Sequence, residues 1–592
     1  MTWLDRAIST LGEFWSLGGF FQPLPTRDVG TTPCERIRVS RNDEKPALHR
    51  RNGQNVRPGG VYAFPSTSQH LRGHPGHPAA SLPNLICPNC QSNEMPVQFH
   101  PQLTRPREFG ILLDHIALST IGVVLAYVVF QWGGVLRTDQ YQYLLVLGLL
   151  ATILSLGRAR DRWAPLPGRV VRWTLTLFPA YILMQVVPMP VSLVRVLSPA
   201  RAETLAALDR VGALVHFASL SVSPPATFQS FLLICGYVII FLLVRELTWR
   251  LDDNCWLAIW PIVAIGALEA GLGLCQNFGG GVDQVRWGTY ANHNHYAGFL
   301  EMALPFAVVY PVVLWRRTRS RGYSPVAPAL AACGVWALAG LMLAGIVFSF
   351  SRMGFIATLS SLFVMGALAF GTRQLSWVAR SLKRQTITVG LVTALVLASF
   401  VFLPPDKLIA RFAQIASVEG LTAEGRINLW TETIPLIKAY PVFGCGLGGY
   451  ETAFMKFKVS GPLFTDDFAH NDYLQLLAEL GLAGFALGAT LAFSIVRKAV
   501  RRAVEPRDPG TRYFAVACAG ALAAILVHSL ADFNLYIPAN AMLLAWIAGM
   551  TAGLRNCRLS IADYRLKAEN VALPVFQSPI VSQQSTISNY RR

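Results

Sequence analysis

Apolar residues in this chain are gathered into runs rather than scattered. The runs lie near 110–131, 141–157, 170–190, 226–245, 255–276, 296–315, 326–349, 353–371, 386–403, 471–496, 513–535 and 537–554. Most approach the roughly 20 helical residues that a hydrocarbon core requires. Lipid offers no partners to a peptide group, so a spanning segment must bond internally, which a helix does. The pattern predicts an all-α, polytopic membrane helical bundle with about twelve transmembrane helices. The runs 141–157 and 353–371 are short, and the two after residue 513 lie close together.

Residues 1–105 break this pattern. They are rich in Pro, Gly, Arg, Asn and His, without periodicity, and read as a polar, mostly disordered segment ahead of the membrane domain 106–555. The start lacks the compact apolar core and cleavage site of a signal peptide. Residues 556–592 form a polar tail.

Charge fixes an orientation. The net charge is +18 and the pI about 9.7, which in a soluble protein would suggest nucleic acid. Here the arginines cluster at every second connection: Arg158, Arg160 and Arg162 after the second run, Arg316 and Arg317 after the sixth, Arg497, Arg501 and Arg502 after the tenth. That alternation is the signature of cytoplasmic loops and places both termini inside. No nucleic-acid partner is expected. Most cysteines, such as Cys235, Cys255 and Cys518, lie within apolar runs as small hydrophobes, and no disulfide framework is implied. Cys87 and Cys90 form a single CxxC, half of a zinc site.

The remaining connections face the other side. Two are long, 191–225 and 404–470. The second contains an amphipathic stretch from about Arg426 to Tyr440 and then a glycine turn. The polar motifs collect on this face. Arg352 interrupts an outward connection against the charge trend, and Arg286 and Arg426 share its side. A guanidinium is a rigid fork of donors suited to phosphate oxygens, so three of them suggest a pocket for an anion, against the plainer reading of snorkelling arginines. His470, where the long loop meets the next helix, can act as a base near neutral pH or serve only in capping. Asn292, His293, Asn294 and His295 open the sixth run, where they cap a helix or bind sugar or phosphate. Asn471 follows His470. Asp466, Asp467, His470 and Asp472 fit no standard metal loop, and no metal or other cofactor is expected. The polar outer end of the eleventh run carries His528, Asp532 and Asn534. Glu269 and Glu301, inside apolar runs, require partners: the arginines or His295.

At these motifs the chain resembles the O-antigen ligase superfamily of membrane proteins, which includes O-antigen polymerases. The matching pieces are RWGTYANHNHYAGFLEMALP, SFSRMG, GRINLW with PVFGCGLGGY, AHNDYLQLLAELGLAG and HSLADFNLYIPANAMLLAWIAG, within about residues 170–555. The resemblance implies an enzyme of the bacterial inner membrane. Such an enzyme takes a glycan from undecaprenyl diphosphate at the periplasmic face and transfers it to an acceptor hydroxyl on a lipid or polysaccharide. It works without metal and with inversion. It implies catalytic roles for His470, Arg352 and Arg426, and substrate contacts from Arg286, Asn292, His293, Asn294, His295 and Asn471. A polymerase of the same superfamily is the nearest alternative. A secondary transporter is the alternative from another class, although no internal repeat is visible. An export scaffold without catalysis is a third.

Overall fold

A computed structural model describes residues 107–158, 163–213, 215–278, 287–320, 326–370, 423–460, 465–505 and 509–555. All belong to the second of two units, His100–Arg592. The polar head, the run 386–403, Arg286, Cys87 and Cys90 lie outside the described residues.

In chain order the helices are α1 (Arg107–Phe130), α2 (Arg137–Gly157), α3 (Arg169–Val186), the short α4 (Val191–Leu197) and α5 (Pro199–Arg210), α6 (Pro224–Arg250), α7 (Trp260–Phe278), α8 (His293–Ser320), α9 (Val326–Phe348), α10 (Arg352–Phe370), α11 (Ala423–Ala439), α12 (Tyr450–Phe454), α13 (Asp472–Val504), α14 (Pro509–His528) and α15 (Pro538–Gly553). Nine of these described helices are long and apolar enough to cross a membrane. The runs 170–190 and 537–554 are helical but fall outside that group: α3 opens on Arg169 and Arg172, and α15 has 16 residues. The protein is an all-α polytopic membrane protein. Its one described sheet is a two-residue pairing of β1 (Met189–Pro190) with β2 (Phe217–Ala218).

The helices α8 and α14 are central, with 83% and 72% of their apolar windows buried, against 56% or less for the other spanning helices. Their core side chains include Phe299, Phe306, Phe514 and Ile525. Small residues let neighbours approach. Gly549 and Gly553, one turn apart on α15, face the backbone of α6, where a Cβ at Gly549 would stand 2.7 Å from the Phe241 carbonyl. Close backbone approach of this kind substitutes for the hydrophobic drive that lipid removes.

One helix is broken. In α13, Gly481 has φ 60° and ψ −174°, and the glycine turn after α11 docks into the gap. Cys445 and Gly446 donate backbone N–H groups to the carbonyls of Ala478 and Glu479 at 3.0 Å, while Leu482 and Ala483 donate to Pro441 and Val442 at 2.8 and 3.1 Å. Peptide groups released by the break are thus satisfied by another segment, as a low-dielectric setting demands. Gln185 and Tyr181 of α3 seal the same joint, both donating to the Phe443 carbonyl.

The two ends of the bundle differ. One is rich in arginine: Arg158 pairs with Asp114, Arg250 with Glu246 at 2.7 Å, Arg555 lies over Trp249, and Arg512 donates to the Ala369 carbonyl at 3.0 Å. The other carries the polar motifs. Cys255 departs from the small-hydrophobe reading of its sequence, since it is disulfide-bonded.

Candidate functional site

The polar end is assembled from four helix termini: the starts of α8, α13 and α15 and the finish of α14. The run 513–535 predicts a longer helix than the one observed. Helix α14 stops at His528, and residues 529–533 turn sharply, with the Phe533 N–H donating to Asp532 Oδ1 at 2.8 Å. A short polar side chain that captures a nearby backbone donor competes with helical bonding.

Asp532 is the centre of the site. It is fully buried, and its Oδ1 lies 3.5 Å from His295 Nε2 and 3.6 Å from His470 Nδ1. These contacts are slightly longer than hydrogen bonds. Burial disfavours the charge on Asp532, but its interactions with His295 and His470, with His528 nearby, outweigh that and hold its carboxyl well below the usual carboxylate range. Phe533 stacks on Phe468 with centroids 4.1 Å apart, and the edges of both histidines meet its ring at 4.5 and 4.8 Å.

His470 is held from both sides. Its backbone is left-handed at φ 49°, an uncommon conformation for a residue with a Cβ. Before it, Ala469 donates to Gln475 Oε1 at 2.8 Å and accepts from Trp430 Nε1 at 3.0 Å. After it, Asn471 caps α13, accepting from the N–H groups of Tyr473 and Leu474 at 3.0 and 3.1 Å. The Asn471 amide also donates to the Leu530 carbonyl at 2.9 Å. Strain of this kind persists where the surroundings over-determine it.

Arg426 lies in the first turn of α11, and its Nη1 donates to the Ala531 carbonyl at 2.9 Å. Arg426 and Trp430, four residues apart on one helix face, therefore grip the Asp532 turn and the His470 corner respectively. Asn292 caps α8 by accepting from the Asn294 N–H at 2.8 Å. His293 lies against Trp287, with ring centroids 5.5 Å apart, and is near enough to Asp532 and Arg426 to feel their charges. Asn294 is buried. Arg352 is exposed at the start of α10. Its loop reaches the site through Phe350, whose ring meets Trp287 at 6.4 Å, and through Gly354, which abuts Ala297 of α8.

The two intramembrane glutamates take neither the arginines nor His295. Glu301 pairs with His528 Nδ1 at 3.0 Å, directly beneath the Asp532 turn. Glu269 accepts from the hydroxyl and the N–H of Thr289, at 2.7 and 3.1 Å, fixing the turn that leads into α8. The acidic group around His470 does not converge: Asp466 pairs with Lys458, and Asp472 accepts from Ser529 at 2.7 Å.

Apart from the two histidine nitrogens facing Asp532, buried polar atoms of the site make no hydrogen bond among the described residues: Arg426 Nε, His528 Nε2, Asp532 Oδ2 and Asn534 Nδ2. An unpaired buried polar atom costs on the order of 1–3 kcal/mol. Such a concentration in one place suits a surface built to contact polar ligand groups.

Residues 337–489 match the family model described as O-antigen ligase. Over these residues the chain is similar to the O-antigen ligase family. The matched stretch runs from α9 into α13, about a quarter of the chain, and includes Arg352, Arg426 and His470. His295 and Asp532 lie on either side of it, so the site joins the matched stretch to helices beyond its limits. No curated protein matches the chain. In the sequence, Asp532 is only one of several polar residues at the end of the eleventh run; the signal that singles it out is a carboxylate at the rim of a run that also carries a histidine.

Proposed function

We propose that this membrane protein transfers a glycan from undecaprenyl diphosphate to an acceptor hydroxyl, at the periplasmic face of the bacterial inner membrane and with both termini cytoplasmic. The observation that carries the reading is the His470–Asp532 pair, with His295 on the same carboxylate oxygen and Arg426 on the adjoining backbone. A carboxylate facing Nδ1 favours the tautomer with the proton on that nitrogen and leaves Nε2 as the base.

In the reaction we infer, the acceptor oxygen attacks the anomeric carbon from the side opposite the diphosphate. The new glycosidic bond forms as the bond to the diphosphate breaks, and configuration inverts. The acceptor's proton passes to His470, and the electron pair of the broken bond leaves on the lipid diphosphate. Arg352 and Arg426, with Arg286, meet the charge that develops there, which lowers the barrier more than it stabilises the bound donor. No step calls on a metal. His293, His295, Asn292, Asn294 and Asn471 hold or shape the surface for sugar and phosphate oxygens. The break in α13 is filled by the chain's own glycine turn rather than opened to a substrate, which favours an enzyme over a transporter.

The test uses membranes supplied with lipid-linked donor. His470→Ala is expected to lose on the order of 100- to 10,000-fold of transfer, and Arg352→Ala or Arg426→Ala to lose it comparably. Undiminished transfer in His470→Ala and Arg352→Ala overturns the reading. We favour a ligase that serves lipopolysaccharide or exopolysaccharide assembly. In a strain lacking the protein, polymer accumulating on its lipid carrier supports this, and accumulating single repeat units identify a polymerase instead.

A further inference from the structure

At the end of the bundle away from His470, α3 and α13 run antiparallel. Tyr181 packs beside Gly484 and Phe178 beside Gly488, so the start of α3 arrives at the finish of α13. Between them lies a groove of about 400 Å³ whose lining includes Arg169, Arg497, Lys498 and Arg501. The start of α3 has no side-chain cap, and its first free N–H groups and partial positive charge face the same space.

Cations and a helix N-terminus repel one another unless an anion lies between them. Two of the four cations are already occupied: Arg501 pairs with Glu505 at 2.8 Å, and Lys498 donates to the Ala552 carbonyl. Arg169 and Arg497 are exposed and meet no carboxylate among the described residues. The groove therefore offers two guanidinium forks and a helix terminus to one anion, the donor set that recognises a phosphate.

The rest of the lining says which phosphate. Val170, 52% exposed, and Phe493, 68% exposed, open the groove towards the lipid-facing side, and Trp173, 58% exposed, follows one turn along α3. An aromatic side chain beside basic residues at a helix end marks the headgroup level of a bilayer, and basic pockets between spanning helices take anionic headgroups. We propose that this groove binds the phosphate of an anionic membrane phospholipid, with the acyl chains laid along Phe493 and Val170. The site is separate from the His470 cluster, and the inference does not rest on the transfer reaction.

Native mass spectrometry of the full chain in detergent, titrated with phosphatidylglycerol or phosphatidylcholine, tests it. The wild-type protein should retain phosphatidylglycerol in preference. The Arg169→Gln/Arg497→Gln pair should bind it about 30-fold more weakly, from the attraction of two cations near a headgroup. Arg169→Lys/Arg497→Lys keeps the charge and should retain most of the binding. Arg316→Gln, at the same end but outside the groove, should change nothing. Equal binding of both lipids, or an equal loss in Arg316→Gln, overturns the site. So does equal loss in the Gln and Lys pairs with a lowered melting temperature, which would report the fold rather than the charge. Displacement of the lipid by millimolar inorganic phosphate assigns the groove to free phosphate and overturns the lipid reading.

Discussion

Asp532 takes its importance from two histidines on one carboxylate oxygen. Asp532→Asn keeps the shape but removes the charge that orients His470. It should lower transfer by about 100-fold or more while the protein still folds. The pH dependence has a definite sign. The carboxyl of Asp532 is depressed in the folded protein. Its contribution to stability is therefore complete above the unfolded carboxylate value, near 4, and disappears as pH falls through the lower folded value. The stability difference between wild type and Asp532→Asn should close as the pH falls below about 4. Thermal melts in acid measure this, and a gap that persists undiminished in strong acid argues against a depressed carboxyl. Asn471→Ala removes a cap that accepts from two N–H groups and should cost about 1–2 kcal/mol, with transfer falling further because His470 sits next to it.

At the scale of elements, the break in α13 and the glycine turn after α11 depend on each other. A Cβ at Gly481 would stand 2.3 Å from the Val442 carbonyl, on a backbone at φ 60°. Gly481→Ala should destabilise the protein by more than 1 kcal/mol, combining backbone strain with a clash against main chain. If the variant melts like the wild type, the turn is not docked in the break. The Arg426-to-Tyr440 stretch and the glycine turn are both legible in the sequence, since amphipathic spacing and glycine density are local signals. That the turn fills a broken helix is not legible there, because GLAG inside an apolar run reads as an ordinary span. The end of the eleventh run reads as too long a helix for a related reason: hydropathy records Ala531 and Phe533 as apolar, but not the Asp532 side chain capturing the Phe533 N–H or the Ser529 hydroxyl donating to Asp472.

Over the whole molecule, the ends are chemically opposite. Arginines gather at one, and the histidine and asparagine motifs at the other. Single cysteines at Asp467 and Arg172, in an otherwise cysteine-free background, should be labelled from opposite sides by a membrane-impermeant maleimide, Asp467→Cys from the periplasm. Labelling from one side only would remove the membrane sidedness on which the proposed donor depends.

Some properties of this protein follow from its sequence alone. Lipid forces each spanning segment to satisfy its own backbone, so length and apolarity suffice to announce the helices, and their alternating flanking charge suggests an orientation. The motif residues His470, Arg426 and His295 also stand out, because each is a costly group beside an apolar run. Their grouping is a tertiary fact. Which carboxylate two histidines share, and that Glu301 meets His528 rather than an arginine, depends on through-space pairing between segments far apart in the chain. Such pairing is fixed only when helices pack, since a buried charge takes whichever partner the packing delivers.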